Sequence, residues 1–264
     1  MIPPTSIDGT DITGATIDGT DVQEITVDGD VVFTSTTADP VAKSDLIAWY
    51  RFESSGLLTD SADNSSFGDA TAYDLTEQGQ STTESNSVSS GGATDVIDGT
   101  SSGYYDMVAD GNIEASLTNL STPFTVMGWF NPDGVDTGSG NQALFGDWDG
   151  SSSDWYMRYR DGTDELTMVD DIAGNQFDLG SFPSGQWSHI TGVYDSTDTA
   201  YIDGSVVGTL SASSQRTFTG GDGLDIGSLG NSLEFYDGGI DDVRIYNRAL
   251  TSSEINQIIT NTQP

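Results

Sequence analysis

Apolar and polar residues alternate along much of this chain in short runs bounded by turn residues, the period of half-buried strands. The runs predict strands at Leu46–Phe52, Tyr104–Met107, Phe124–Phe130, Gln142–Phe145, Trp155–Arg160, Glu165–Val169, Trp187–Tyr194, Thr199–Ile202, Ser205–Leu210, Leu224–Ile226 and Gly239–Tyr246. Many short strands with Gly, Asp, Asn and Ser between them form the pattern of a sandwich or jelly roll. Gly79–Gly103, rich in Ser, Thr and Gly, is expected to be a long surface excursion. One helix is predicted. Thr251-Ser252-Ser253-Glu254 is a capping box, and Ile255, Ile258 and Ile259 share one face behind it. The fold class expected is therefore all-β, closed by one short C-terminal helix.

Residues 1–36 carry a repeat. Ile7-Asp8-Gly9-Thr10-Asp11 returns ten residues later as Ile17-Asp18-Gly19-Thr20-Asp21, and again as Val27-Asp28-Gly29-Asp30. Asp-Gly between β-formers is a hairpin signal, because both central residues of a type I′ turn take positive φ. Three tight turns joining four strands are predicted: Ser6-Ile7, Asp11–Ile17 with a break near Gly14, Val22–Val27 and Val31–Phe33. A ribbon of this size buries too little surface to stand alone in water. Its apolar residues need a cover, and copies of the same segment are the expected one, making residues 1–36 an anchoring and oligomerising unit (trimer or pentamer). Folding back on its own domain is the alternative. Residues 37–44 read as a linker and 45–264 as the main domain.

Charge narrows the function. The 264 residues hold 7 Lys+Arg against 42 Asp+Glu, a formal net charge of −35, and no Cys. Disulfides and thiol chemistry are excluded, and a phosphate-binding basic patch is not expected, so nucleic acid is not a partner. The longest apolar runs, such as Leu46–Tyr50, fall far short of the roughly 20 residues that span a bilayer, so no membrane insertion is expected. Met1-Ile2-Pro3-Pro4 leads into polar repeats with no Lys or Arg before Lys43, so no secretory signal is expected. The acid is 34 Asp to 8 Glu. Such a surface fits molar salt, where the Debye length of about 3 Å screens self-repulsion, and a halophilic source is expected.

The candidate ligand site lies on Trp155-Tyr156-Met157-Arg158-Tyr159-Arg160. Alternation puts Tyr156, Arg158 and Arg160 on one face and Trp155, Met157 and Tyr159 on the other. Two of the few cations beside an aromatic ring fit an acidic or sulfated sugar; the alternative is arginine balancing neighbouring Asp. Trp148 and Tyr236, in turn-rich stretches, are further aromatics for a glycan, or else core plugs. The lone histidine, His189, reads as structural packing. Gly220-Gly221-Asp222-Gly223 has no helix or Lys behind it and is not a phosphate cradle. The run Asp147–Asp154 lacks the downstream Glu of a calcium hand and reads as loop.

Six segments in order carry a resemblance. They are Ala48–Glu53, Asp60–Asn64, Phe124–Pro132, Gln186–Asp195, Tyr201–Gly204 and Gly239–Leu250. Together they resemble the laminin-G-like, concanavalin A-like jelly roll over about residues 45–260. The resemblance implies two stacked antiparallel sheets, glycan or protein binding, and a structural calcium ion held by Asp60, Asn64 and Asp241. Glycosidases of this architecture place two Glu and an Asp on one strand. Here the nearest pair of Glu is Glu77 and Glu84, seven apart, so no enzyme is expected and no catalytic residue is assigned. Residues 1–40 resemble N-terminal segments of phage and archaeal-virus virion proteins. The function expected is a virion surface protein (fibre, turret or capsid decoration) of a virus of halophilic archaea. It would assemble in the host cytoplasm with other virion proteins and bind a host surface glycan or S-layer glycoprotein. A purely structural decoration and a cellular carbohydrate-binding or adhesin module are the alternatives.

Overall fold

The computed structural model describes residues 45–52, 117, 120–133, 140–148, 155–160, 162–170, 175–211, 216, 218, 223–229 and 234–264, with shorter strand pieces between 6 and 34 and at 75–78, 87–89, 104–107 and 112–115. The expected linker 37–44, Asp60, Asn64, most of Asp147–Asp154 and Gly220–Asp222 lie outside these residues.

The N-terminal repeat forms three hairpins. β1 (Ser6–Ile7) pairs with β2 (Thr10–Asp11), β3 (Thr16–Ile17) with β4 (Thr20–Asp21), and β5 (Glu24–Val27) with β6 (Asp30–Thr34). Ile7 faces Thr10, Ile17 faces Thr20 and Val27 faces Asp30, so an Asp-Gly pair lies between the strands each time. This corrects the four-strand ladder. The Asp11–Ile17 run divides, Asp11 closing the first hairpin and Thr16-Ile17 opening the second, and Glu24–Val27 of the Val22–Val27 run opens the third. Pairing across a two-residue loop carries the least closure entropy, and each strand takes that partner first.

The main unit is built from β7 (Leu46–Tyr50), β8 (Leu75–Gln78), β9 (Ser87–Ser89), β10 (Tyr104–Met107), β11 (Asn112–Ala115), β12 (Phe124–Pro132), β13 (Gln142–Asp147), β14 (Trp155–Arg160), β15 (Glu165–Asp170), β16 (Asn175–Ser181), β17 (Ser188–Tyr194), β18 (Thr197–Ile202), β19 (Ser205–Ser211), β20 (Leu224–Ile226), β21 (Gly238–Tyr246) and α1 (Ser252–Thr262). An eight-stranded antiparallel sheet runs β19-β18-β17-β12-β21-β10-β9, with β7 also on β21. A seven-stranded sheet runs β16-β15-β14-β13-β20-β11-β8. The expected excursion Gly79–Gly103 contains β9, which pairs with β10 at Tyr105↔Val88.

Between the sheets lies a core dominated by rings. Phe124 sits 4.8 Å from Tyr194, Trp155 4.5 Å from Tyr194, and Phe52 5.4 Å from Tyr105, centroid to centroid. Large rings bury much area per residue, which lets a chain with 34% hydrophobic residues fill a sandwich. The β18–β19 hairpin turns through Asp203 (φ 49°) and Gly204 (φ 74°), the two positive values a type I′ Asp-Gly turn takes.

A second apolar layer covers the outer face of the eight-stranded sheet. Leu46, Trp49, Met127, Val193, Tyr201 and Tyr246 pack beneath Leu250, Ile255 and Ile258. Helix α1 starts at the expected capping box: Thr251 Oγ1 accepts from Glu254 N, and Glu254 Oε2 accepts from Thr251 N at 2.8 Å. Arg248 ties this start to the first residue of the sandwich, reaching Asp45 at 2.6 Å and Glu254 at 2.5 Å. At its far end, Thr262 Oγ1 accepts from Trp129 Nε1 at 2.9 Å.

Because α1 is held mainly by its apolar face, Ile258→Ala should lower unfolding free energy by about 2–4 kcal/mol, measured by denaturant titration in molar salt.

Candidate functional site

Strand β14 divides its side chains as its alternation requires. Trp155, Met157 and Tyr159 enter the core between the sheets, whereas Tyr156 joins Ala143, Val169 and Leu229 in a small cluster on the outer face, with Trp148 packed against it. Cross-strand register extends this face. Gln176, Val169, Tyr156, Gly146 and Asp225 form one row across β16, β15, β14, β13 and β20, and Asp178, Thr167, Arg158 and Ala143 form the next. At Gly146 an added Cβ would stand 2.3 Å from the Cβ of Tyr156, so only glycine lets the two strands meet there. Gln176 and Asp178 are exposed, and Trp148 and Arg160 half-buried, so the row has a closed floor and an open rim.

Arg158 is the polar centre. Its Nη1 donates to Glu234 Oε1 at 2.5 Å and its Nη2 to Gln176 Oε1 at 2.8 Å, while the guanidinium carbon lies 5.6 Å from the Tyr156 ring. Arg160 lies between Asp178 at 3.1 Å and Glu165 at 3.8 Å. Both arginines therefore balance carboxylates, the second of the two sequence readings. Glu234 comes from the segment before β21 and holds φ at 51°, a strained value for glutamate. Burial pushes its carboxyl above the ordinary range, against the opposing pull of Arg158. Glu234 Oε2 and Arg158 Nε are buried and make no hydrogen bond.

The structure brings Trp148, Tyr156, Arg158 and Arg160 to one face. Tyr236 is elsewhere: its ring is fully buried in the core, 5.9 Å from Phe130, and its hydroxyl donates to Gly239 O. It is a core plug and is removed from the ligand set. Gln176, Asp178 and Glu234 join the site without having been singled out. Phe177 and Leu179 carried a period-two signal for β16, but nothing local links Glu234 to Arg158 across 76 positions.

The opposite outer face is closed. Beneath α1, His189 is fully buried, its ring 5.1 Å from Trp129 and edge-on to it, with Nδ1 3.1 Å from Thr191 Oγ1. It offers no nucleophile or base to solvent. Nearby, Asp242 Oδ1 accepts from Trp49 Nε1 at 2.6 Å and from Arg244 Nε and Nη2 at 3.0 and 2.9 Å. Asp241 is buried, and its Oδ1 accepts from the Asp242 amide at 2.8 Å. One carboxylate oxygen of the expected calcium set is thus already hydrogen-bonded, and its other members fall outside the described residues. Among the described residues no group of three His, Cys, Asp or Glu could hold a metal ion.

A family model described as the concanavalin A-like lectin/glucanases superfamily matches residues 102–256, more than half of the chain. No curated relative matches. Among solved structures, domain 4 of AbnA, a GH43 extracellular arabinanase from Geobacillus stearothermophilus in complex with arabinotriose, is similar at TM-score 0.58 and 20% identity, over 81% of this chain and 98% of its own. The binding domain of Paraclostridial Mosquitocidal Protein 1 is similar at TM-score 0.60 and 19% identity, over 82% and 52%. The receptor binding domain of botulinum neurotoxin type G follows at 0.54 and 16%, over 82% and 51%. This chain spans about half the length of the two toxin domains. At these identities the likeness is one of fold.

Burial, with the Arg244 charge second, lowers His189 from its ordinary 6.5 to about 3. A depressed folded-state value means the unfolded chain binds the proton first, so this contribution is whole above about pH 6.5 and is lost as pH falls toward 3. In unfolding titrations, His189→Gln should lose roughly 2–3 kcal/mol less than the parent chain between neutral pH and about pH 4.5.

Proposed function

Since the chain belongs to the concanavalin A-like lectin/glucanase superfamily, we propose that its sandwich is a non-catalytic glycan-binding module carried on the surface of a virion that infects a halophilic archaeon. The glycan reading rests on the strip of Trp148, Tyr156, Arg158 and Gln176 along the outer face of the seven-stranded sheet. Rings offer flat apolar faces and an amide offers hydrogen bonds, the mixture that sugars require. The AbnA domain, similar in fold, was solved with arabinotriose. Against catalysis stands the sequence itself, which places no two Glu on one strand.

The virion part of the proposal draws on residues 1–36 and on the charge. β1–β2, β3–β4 and β5–β6 are separate two-stranded sheets, and hairpins of this size are marginal alone. Their repeated Asp-Gly pattern is supplied identically by every copy of the chain, so homo-oligomerisation through this segment gives each strand edge a matching partner. Such an anchor with an outward lectin-like head would serve a fibre, a turret or a capsid decoration alike. A calcium ion held by Asp60, Asn64 and Asp241 would brace the head.

At native salinity the purified chain should bind host-cell glycans and block virus adsorption; Trp148→Ala should weaken binding about tenfold or more with little change in melting temperature. Binding that survives the substitution unchanged would remove this face from the proposal. Chelation with EDTA at molar salt should lower the melting temperature by about 5 °C; an unchanged transition would leave the calcium ion out.

A further inference from the structure

Resting on the glycan-binding reading, we propose that the outer strip of the seven-stranded sheet takes a neutral, hydroxyl-rich sugar and discriminates against sialylated, sulfated and uronic-acid forms. A sugar anion needs a guanidinium whose fork is open to it. Each arginine of the strip instead already faces a carboxylate. Arg158 already holds Glu234 and Gln176, and Arg160 is shared between Asp178 and Glu165. Two cations thus face three carboxylates within one strip, on a chain of net charge −35. An arriving anion would displace Glu234 or Asp178 and leave that carboxylate without its counter-charge. For Glu234, largely buried, this loss exceeds what the new ion pair returns.

The same groups suit hydroxyls. Ionised carboxylates only accept, so the ligand must donate. The Arg158–Glu234 pair contains one buried acceptor, Glu234 Oε2, and one buried donor, Arg158 Nε, each without a partner. A hydroxyl donates and accepts at once, which suits a face whose acceptors and donors lie side by side. The Asp178 carboxylate and the Gln176 amide are exposed along the rim, where further hydroxyls would meet them. Trp148, half-buried, supplies an apolar face beside this polar line, with Tyr156 buried beneath it. The ion pair with Arg158 holds the Glu234 carboxylate in place before any ligand arrives.

The test is a titration of the full chain, at native salinity, with neutral galactosyl, glucosyl and mannosyl oligosaccharides and with the sialylated, sulfated and uronic-acid counterparts of each. Neutral members should bind, and the charged counterparts should bind about tenfold or more weakly. Gln176→Ala should weaken neutral binding several-fold, and Asp178→Asn should narrow the gap between neutral and charged members. A charged member that binds as tightly as its neutral parent, and loses affinity in Arg160→Gln, overturns the neutral-sugar assignment while the glycan-binding reading stands. If no sugar of either kind binds, the glycan-binding reading itself falls, and this assignment with it.

Discussion

The sandwich depends on a seam between its first strand and its last. β7 and β21 pair with Val243 opposite Tyr50, and one hydrogen bond there joins Trp49 to Asp242 across 193 positions. The same Asp242 oxygen holds Arg244, whose guanidinium lies 4.6 Å from the Trp49 ring centroid. The geometry is set by a bulge. Between Met127 and Trp129 the register with β12 slips, so that Asp242 and Val243 together face Gly128. Asp242 takes φ 48° to make the bend, and a Cβ on Gly128 would come within 2.9 Å of Val243. Aspartate tolerates this backbone better than most residues and also supplies the acceptor for Trp49 and Arg244. Helix α1 lies on this seam, so cap, roof and closure form one unit.

Cations are scarce, and where they sit explains much of the rest. Arg216 is completely buried against Asp198, Arg244 against Asp242, and Arg158 nearly so against Glu234. Each answers a carboxylate that the fold has taken out of water, where an unpaired charge would be far more costly than on the surface. The surface is left to aspartate. The internal pairs, shielded from solvent, are screened by salt far less than charges on the acidic exterior.

The central strands were legible because their alternation is strong. Phe124–Phe130, Trp155–Arg160 and Gly239–Tyr246 bury both faces or divide them cleanly, and the pattern fixed which side of β14 faces outward. The strands that escaped notice, β8, β9, β11 and β16, lie at or near sheet margins. Leu75-Thr76-Glu77-Gln78 and Asn112-Ile113-Glu114-Ala115 each carry a single bulky apolar residue, because a margin has little to bury. The site was half legible. Alternation places Tyr156, Arg158 and Arg160 together, but only the folded chain brings Glu234 and Gln176 to Arg158. Tyr236 was ambiguous for a physical reason: a turn can direct a ring inward as readily as outward, and its polar neighbours are the same in both cases.

Helix α1 has a further consequence. By closing one broad face of the sandwich it leaves the other outward, so under the proposed glycan-binding role each head would engage its target through a single shallow contact. Contacts of that kind are individually short-lived. Firm adhesion would then come from the number of heads gathered at one tether, each rebinding while its neighbours hold, and the strength of attachment becomes a property of the array rather than of the chain.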